Sequence, residues 1–126
     1  MGKVNSNNVK VYRLATELSD ELWECVSGWN AFEKQTIGEE IVRAADKVGS
    51  SIAIGLGRGN INDHSKLIKI SRGYLNETMY WLNRAHSRNL IDMNKMLYLK
   101  SKLEVLVSKL NSYSQVFENQ YQQVQA

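Results

Sequence analysis

The run SSIAIGLGRGN at residues 50–60 places Gly55, Gly57 and Gly59 at alternate positions around Arg58. Glycines in such a loop can cradle a phosphate when a strand precedes it and a helix follows, because backbone N–H groups then converge on the anion. Here the preceding residues have a helical pattern, the spacing is not G-x-G-x-x-G, and no lysine stands where a P-loop has one. The run is therefore read as a helix end, with Gly57 or Gly59 in the left-handed conformation that glycine adopts cheaply. His64 and His86 fall at opposite ends of one helical segment, about 33 Å apart at 1.5 Å per residue, and cannot share a metal ion within one chain. No His, Cys and carboxylate set has zinc spacing, so no metal and no cofactor is expected. His64 follows Asp63 in a first helical turn and is expected to be solvated. Cys25 lies on an apolar stripe, where an inert, buried thiol is expected rather than a nucleophile. With no identifiable nucleophile–base pair, no enzymatic activity is expected.

Arg43 and Glu77 form a second candidate constellation. If two helices reverse near residue 60, positions whose numbers add to about 120 face each other, and Arg43 and Glu77 satisfy that rule. A guanidinium opposite a carboxylate can pair bidentately, so a partly buried structural ion pair is expected. Such a partner lowers a carboxylate's pKa and makes it a poor base near neutrality.

The cations offer a binding chemistry instead. Lys69, Arg72, Asn76, Tyr80, Arg84 and Arg88 recur at steps of three or four. Cations interleaved with amide and aromatic groups can follow a phosphate backbone. Arg58 and Lys66, near the reversal, extend the strip. The competing reading is a solvated outer face of a helical protein. Residues 58–109 hold ten Lys or Arg against four Asp or Glu, whereas residues 1–46 hold five against eight. An acidic front and a basic back suit a nucleic-acid surface, or complementary faces of neighbouring subunits.

Four helical segments must position these groups. Val11, Ala15, Leu18, Leu22, Cys25 and Trp29 alternate in steps of four and three, as one face of a helix does. SGWNAFEK interrupts the pattern, and Thr36 with Glu39 reads as a capping box opening a second helix with Ile37, Ile41, Ala44, Val48 and Ile52 inward. Gly49, Ala53 and Gly55 on that helix imply close approach of another backbone, since small residues otherwise cost helix stability. A third helix starts at Asn60 or Asn62, with Leu67, Ile70, Tyr74, Trp81 and Ala85 as its stripe, widened by Leu75 and Leu82. SRNLID ends it, and Asp92 can cap a fourth, with Met96, Leu99, Leu103, Leu106, Leu110, Tyr113 and Phe117 inward and a possible extension to Tyr121 and Val124. Trp23 and Trp29 are expected as core or subunit-interface anchors. The fold class is all-α: an antiparallel up-and-down four-helix bundle over residues 9–120, between a disordered segment 1–8 and a fraying tail 121–126.

The chain has 126 residues, no proline, one cysteine and a net charge of +3. It suits one domain, and the lone thiol fits a reducing cytoplasm. No run reaches the ~20 apolar residues of a membrane span, so no membrane role is expected. Gly2 with Ser6 matches the myristoylation pattern, a short motif frequent by chance, and a single acyl chain would anchor only marginally.

EEIVRAADKVGSSIAIGLGRG, followed by KLIKISRGYLNETMYWLNRA, resembles the four-helix-bundle family of large-subunit ribosomal RNA intervening-sequence proteins. The matching residues are Arg43, Ala44 and Ala45; Ile52, Ala53 and Gly55; Gly57 and Arg58; then Arg72, Gly73, Leu75, Glu77 and Thr78. Ser51, Ile54 and Tyr74 depart from the family's usual Asn, Glu and Ser. The resemblance implies a non-enzymatic bundle that assembles as a homopentameric ring. Some members are encoded within ribosomal RNA genes. A related branch implies an accessory subunit of a diversity-generating retroelement, with a reverse transcriptase and nucleic acid as partners. The reading adopted is a cytoplasmic, self-associating bundle that presents Lys69, Arg72, Arg84 and Arg88 to RNA or another nucleic acid. An oligomeric scaffold without a nucleic-acid role is a further alternative.

Overall fold

The computed structural model describes residues 9–125, with side chains described through residue 115. The expectations for residues 1–8, for residue 126 and for the side chains of Phe117, Tyr121 and Val124 lie outside the described residues. Helix α1 is Lys10–Ser27. Helix α2 is continuous over residues 31–58, built from Ala31–Glu33, a π-helical turn at Lys34–Gly38, and Glu39–Arg58. Helix α3 is Ile61–Ser87 and α4 is Met93–Gln125. Packing runs α1 to α2, α2 to α3, α3 to α4 and α4 back to α1. With the short connections, this is the antiparallel four-helix bundle that the periodicity implies.

The local signals explain most of the helix ends. Gly59 closes α2 with φ +77°, in the left-handed region. The Asn60 side chain accepts from Asp63 N–H at 2.8 Å, so Asn60 is the cap that starts α3. Helix α3 ends in a paired reversal: Asn89 N–H donates to the His86 carbonyl, Leu90 N–H donates to the Ala85 carbonyl, and Asn89 sits at φ 64°. These two hydrogen bonds satisfy carbonyls which the helix itself leaves open. Asp92 caps α4, its carboxylate accepting from Lys95 N–H at 2.7 Å.

The start of α2 differs from the expectation. It begins at Ala31, and its capping box is Asn30 with Glu33, not Thr36 with Glu39. Thr36 instead donates its hydroxyl to the Phe32 carbonyl at 2.7 Å, inside the π turn. Asn-x-x-Glu satisfies the same capping chemistry one turn earlier. The π turn then absorbs a residue and lets Gly38 lie against α1, where an added Cβ would come 2.7 Å from Val26.

The core has one side from each helix. Leu18 and Leu22, Ile41 and Ile52, Ile68 and Leu75, and Leu99, Leu103, Leu106 and Leu110 are buried together. Burying each such side chain contributes about 1.5–3 kcal/mol before entropy is charged against it. The inward face of α2 is the one read from the sequence, as is that of α4 from Met96 to Leu110, beyond which Ser114 is buried and Tyr113 half-buried; in α1 Val26 is buried while Cys25 and Trp29 are half-buried.

Helix α3 is rotated from its expected orientation. Its buried line is His64, Ile68, Ser71, Leu75, Thr78, Leu82 and Ala85, whereas Ile70 is 40% exposed and Leu67, Tyr74 and Trp81 are half-buried. Two hydroxyl residues thus occupy core positions. Thr78 satisfies its hydroxyl on the Tyr74 carbonyl of its own helix. Ser71 donates across to the Val48 carbonyl of α2 at 2.9 Å. An added Cβ on Gly55 would meet Leu67 Cβ at 3.0 Å and the His64 backbone at 3.5 Å. The α2–α3 pair is close because small residues line it.

His64 is buried, contrary to its expected solvation, with its ring tilted at 5.3 Å from Tyr113 of α4. Burial lowers its pKa below the ordinary 6.5, and a hydrogen bond to the Gly55 backbone opposes the shift more weakly. The unfolded chain therefore takes up a proton more readily than the folded one. Stability is full above the ordinary histidine value and falls as pH drops through it. Urea midpoints at pH ~7.5 and ~5.5 are expected to show wild type losing stability over that interval, with His64→Gln losing less.

Candidate nucleic-acid interface

The rotation of α3 settles where its polar residues go. With Ile68, Ser71, Leu75 and Thr78 inward, Lys69, Arg72, Asn76 and Tyr80 fall on the opposite side and are exposed. Arg84 continues the line half-buried, and Arg88, the C-cap residue, ends it exposed. From Lys69 to Arg84 the strip runs about 22 Å, with one member per turn or so. Lys69 and Arg72 thus lie on the outer side of α3, and Arg84 and Arg88 follow toward its C-terminal end. Lys66 is exposed at the opposite end of α3, and Arg58 at the end of α2 lies 3.9 Å from Asp63, a loose pair that leaves its side chain 55% exposed.

Charge compensation is uneven across the molecule. Arg43 and Lys102 are engaged by carboxylates, and Lys69 is not free. Among the described residues no carboxylate lies within ion-pair distance of Arg72, Arg84 or Arg88. After Asp63, α3 has one acidic residue, Glu77, and its carboxylate accepts from the Trp81 indole N–H at 3.1 Å. Tyr80 rests against Trp81, the rings 4.9 Å apart at 71°.

The expected Arg43–Glu77 pair is not formed. Arg43 reaches Glu39 at 2.9 Å and Glu40 at 3.3 Å on its own helix. The register itself is as expected: Ser71 meets Val48, and Gly55 meets His64, so opposed positions add to about 120. Height along the bundle does not set direction around a helix axis, however. Arg43 points outward, and the nearest anions are those three and four residues before it.

Among the described residues no cluster of His, Cys, Asp and Glu could hold a metal ion. Burial pushes the Cys25 thiol above its ordinary pKa, away from the thiolate. On the α1–α4 side, Tyr98 donates to Glu21 at 2.6 Å, and Lys102 lies 3.7 Å from the same carboxylate, which raises the lysine's pKa. Lys95 and Lys102 sit over the Tyr98 ring at 5.2 and 5.4 Å.

The model of the 23S rRNA-intervening sequence protein family matches residues 7–112. This chain belongs to that family. A crystal structure of a protein of unknown function from the S23 ribosomal protein family of Bacteroides thetaiotaomicron is similar, with TM-score 0.78 and 18% identity over 88% of this chain and 99% of that one. At that identity the likeness concerns the fold. No curated protein matches the chain. Among the described residues, no helix is long and apolar enough to cross a membrane.

The family setting gives the departures a location. Ser51 is buried in α2, Tyr74 is half-buried on α3, and Ile54 is 47% exposed, so an apolar side chain faces solvent there. Trp23 is 61% exposed near the end of α1, and Phe32 is 75% exposed in the first turn of α2. A groove of about 390 Å³ lies beside the π turn, with Trp23, Val26, Gly38 and Val42 in its walls. Sequence reasoning placed Trp23 as an anchor but missed Phe32 and the groove, because nothing in the pattern marks a π turn.

Arg43→Ala should change stability by no more than about 0.5 kcal/mol, as for other exposed pairs. A loss of about 3–5 kcal/mol in urea unfolding would instead indicate the buried pair that the register suggested.

Proposed function

We propose that this family member is a non-catalytic, self-associating bundle that applies the outer face of α3 to RNA. The observation that carries the reading is that Arg72, exposed on α3, Arg84, half-buried, and Arg88, exposed at the helix end, have no carboxylate in reach among the described residues. Cations without local partners neutralise phosphates and release counterions, which supplies sequence-independent affinity. Lys69, Lys66 and Arg58 extend the same surface.

Self-association supports weak binding through avidity, because each copy repeats the strip. The exposed Trp23 and Phe32, at the same end of the bundle as the π-turn groove, are suited to a protein interface. The homopentameric ring implied by the family resemblance is the assembly proposed. In the second reading that face receives a reverse transcriptase, and the protein is an accessory subunit of a diversity-generating retroelement. The lone Cys25 suits a cytoplasmic setting for either role.

Fluorescence anisotropy with a structured RNA tests the first reading. Affinity should fall steeply between ~50 and ~200 mM salt, and Arg84→Ala with Arg88→Ala should flatten the log–log slope by about 1.4–1.8. Absence of binding at low salt would sink it. Light scattering tests assembly separately: a monomer mass would remove the ring, whatever the RNA result.

A further inference from the structure

We infer that Tyr80 is a stacking platform for an unpaired base, and that the ligand of the α3 strip is therefore single-stranded nucleic acid. The inference rests on the nucleic-acid reading above and narrows it. Four aromatic residues are at least 44% exposed among the described residues, and their surroundings differ. Trp23 and Phe32 belong to the acidic half, where Glu24 and Glu33 are sequence neighbours and Lys34 is the nearby cation, so the net charge there disfavours a phosphate chain. Tyr98 is occupied: its hydroxyl is on Glu21 and two of the chain's own lysines cover its ring. Tyr80 alone of the four lies in the cationic strip, one turn from Asn76 and from Arg84.

Its ring is also held in place. Trp81 is half-buried and fixed by its indole N–H on Glu77, and Tyr80 meets Trp81 edge to face while remaining 54% exposed. A supported ring loses little freedom when a base covers it. Base–aromatic stacking tolerates any sequence because every base has a π face. A duplex keeps those faces covered, and the deep, narrow major groove of A-form RNA does not admit side chains. An exposed aromatic between cations on a convex helix thus matches a splayed single strand.

The test uses the full chain and three probes: a labelled single strand of ~10 nucleotides, an abasic strand of the same length, and a hairpin duplex. Tyr80→Ala should weaken the base-containing strand about tenfold, and Tyr80→Phe by less than about twofold. The abasic strand and the duplex should bind wild type and Tyr80→Ala alike. The salt slope should not change in either variant, since no phosphate contact is removed. Circular dichroism of each variant confirms that the helical content is kept. If Tyr80→Ala binds the base-containing strand like wild type while Arg84→Ala with Arg88→Ala weakens it, the platform is overturned and the basic strip stands. Equal losses on the base-containing and abasic strands also overturn it, by showing a backbone contact. If wild type binds none of the three probes at ~50 mM salt, the platform fails together with the nucleic-acid reading.

Discussion

The close approach of α2 and α3 is the constraint on which the rest of the structure depends. Gly55 lets the α2 backbone come against Leu67 and His64, and Ser71 bonds across to the Val48 carbonyl. Both contacts need small groups at the interface. A larger residue at either place would force the helices apart, because packed interiors do not deform smoothly. The left-handed Gly59 and the Asn60 cap make the reversal tight enough for the two helices to meet at that height. Once Ser71 and Thr78 are turned inward, the helical period turns Lys69, Arg72, Asn76 and Tyr80 outward. The basic strip is a consequence of how α3 packs.

The same arrangement separates two kinds of surface. The α1–α2 half is acidic and is largely occupied with itself: Asn30 with Glu33, Ser19 with Asp46, Arg43 with Glu39 and Glu40. Its exposed Trp23 and Phe32 are apolar anchors in surroundings where carboxylates outnumber cations. The outer face of α3 has the opposite character, with arginines uncompensated by nearby carboxylates and an aromatic ring braced between them. The tie from Glu21 to Tyr98 and Lys102 joins α1 to α4. A protein divided in this way has the two surfaces that the proposed self-association and RNA binding require.

His64 shows how the fold recruits a polar residue that its neighbours in sequence do not mark. In the first turn of α3 it follows a capping motif and would be solvated in an isolated helix. The Gly55 contact draws α3 inward there, and Tyr113 of α4 covers the ring. Burial then favours the neutral imidazole. The site of pH sensitivity follows from three helices meeting.

The sequence by itself determined the four helices, their order, the inward face of α2 and that of α4 as far as Leu110, and the Asp92 cap, and it narrowed the α2–α3 reversal to Gly57 or Gly59 and Asn60 or Asn62. It also determined the register of α2 on α3. Each of these depends on local hydrogen bonding, on hydrophobic period, or on distance along the chain from a turn. It also brought Lys69, Arg72, Arg84 and Arg88 to notice by spacing, and Arg58 and Lys66 by their place near the reversal. The tertiary structure decided the rotation of α3, the partners of Arg43 and Glu77, the burial of His64 and the earlier start of α2 with its π turn. Those depend on direction around a helix axis, and that direction is chosen by whichever side chains let neighbouring helices come closest. For α3 these were a serine and a threonine, which a search for apolar periodicity passes over because their polarity hides how small they are.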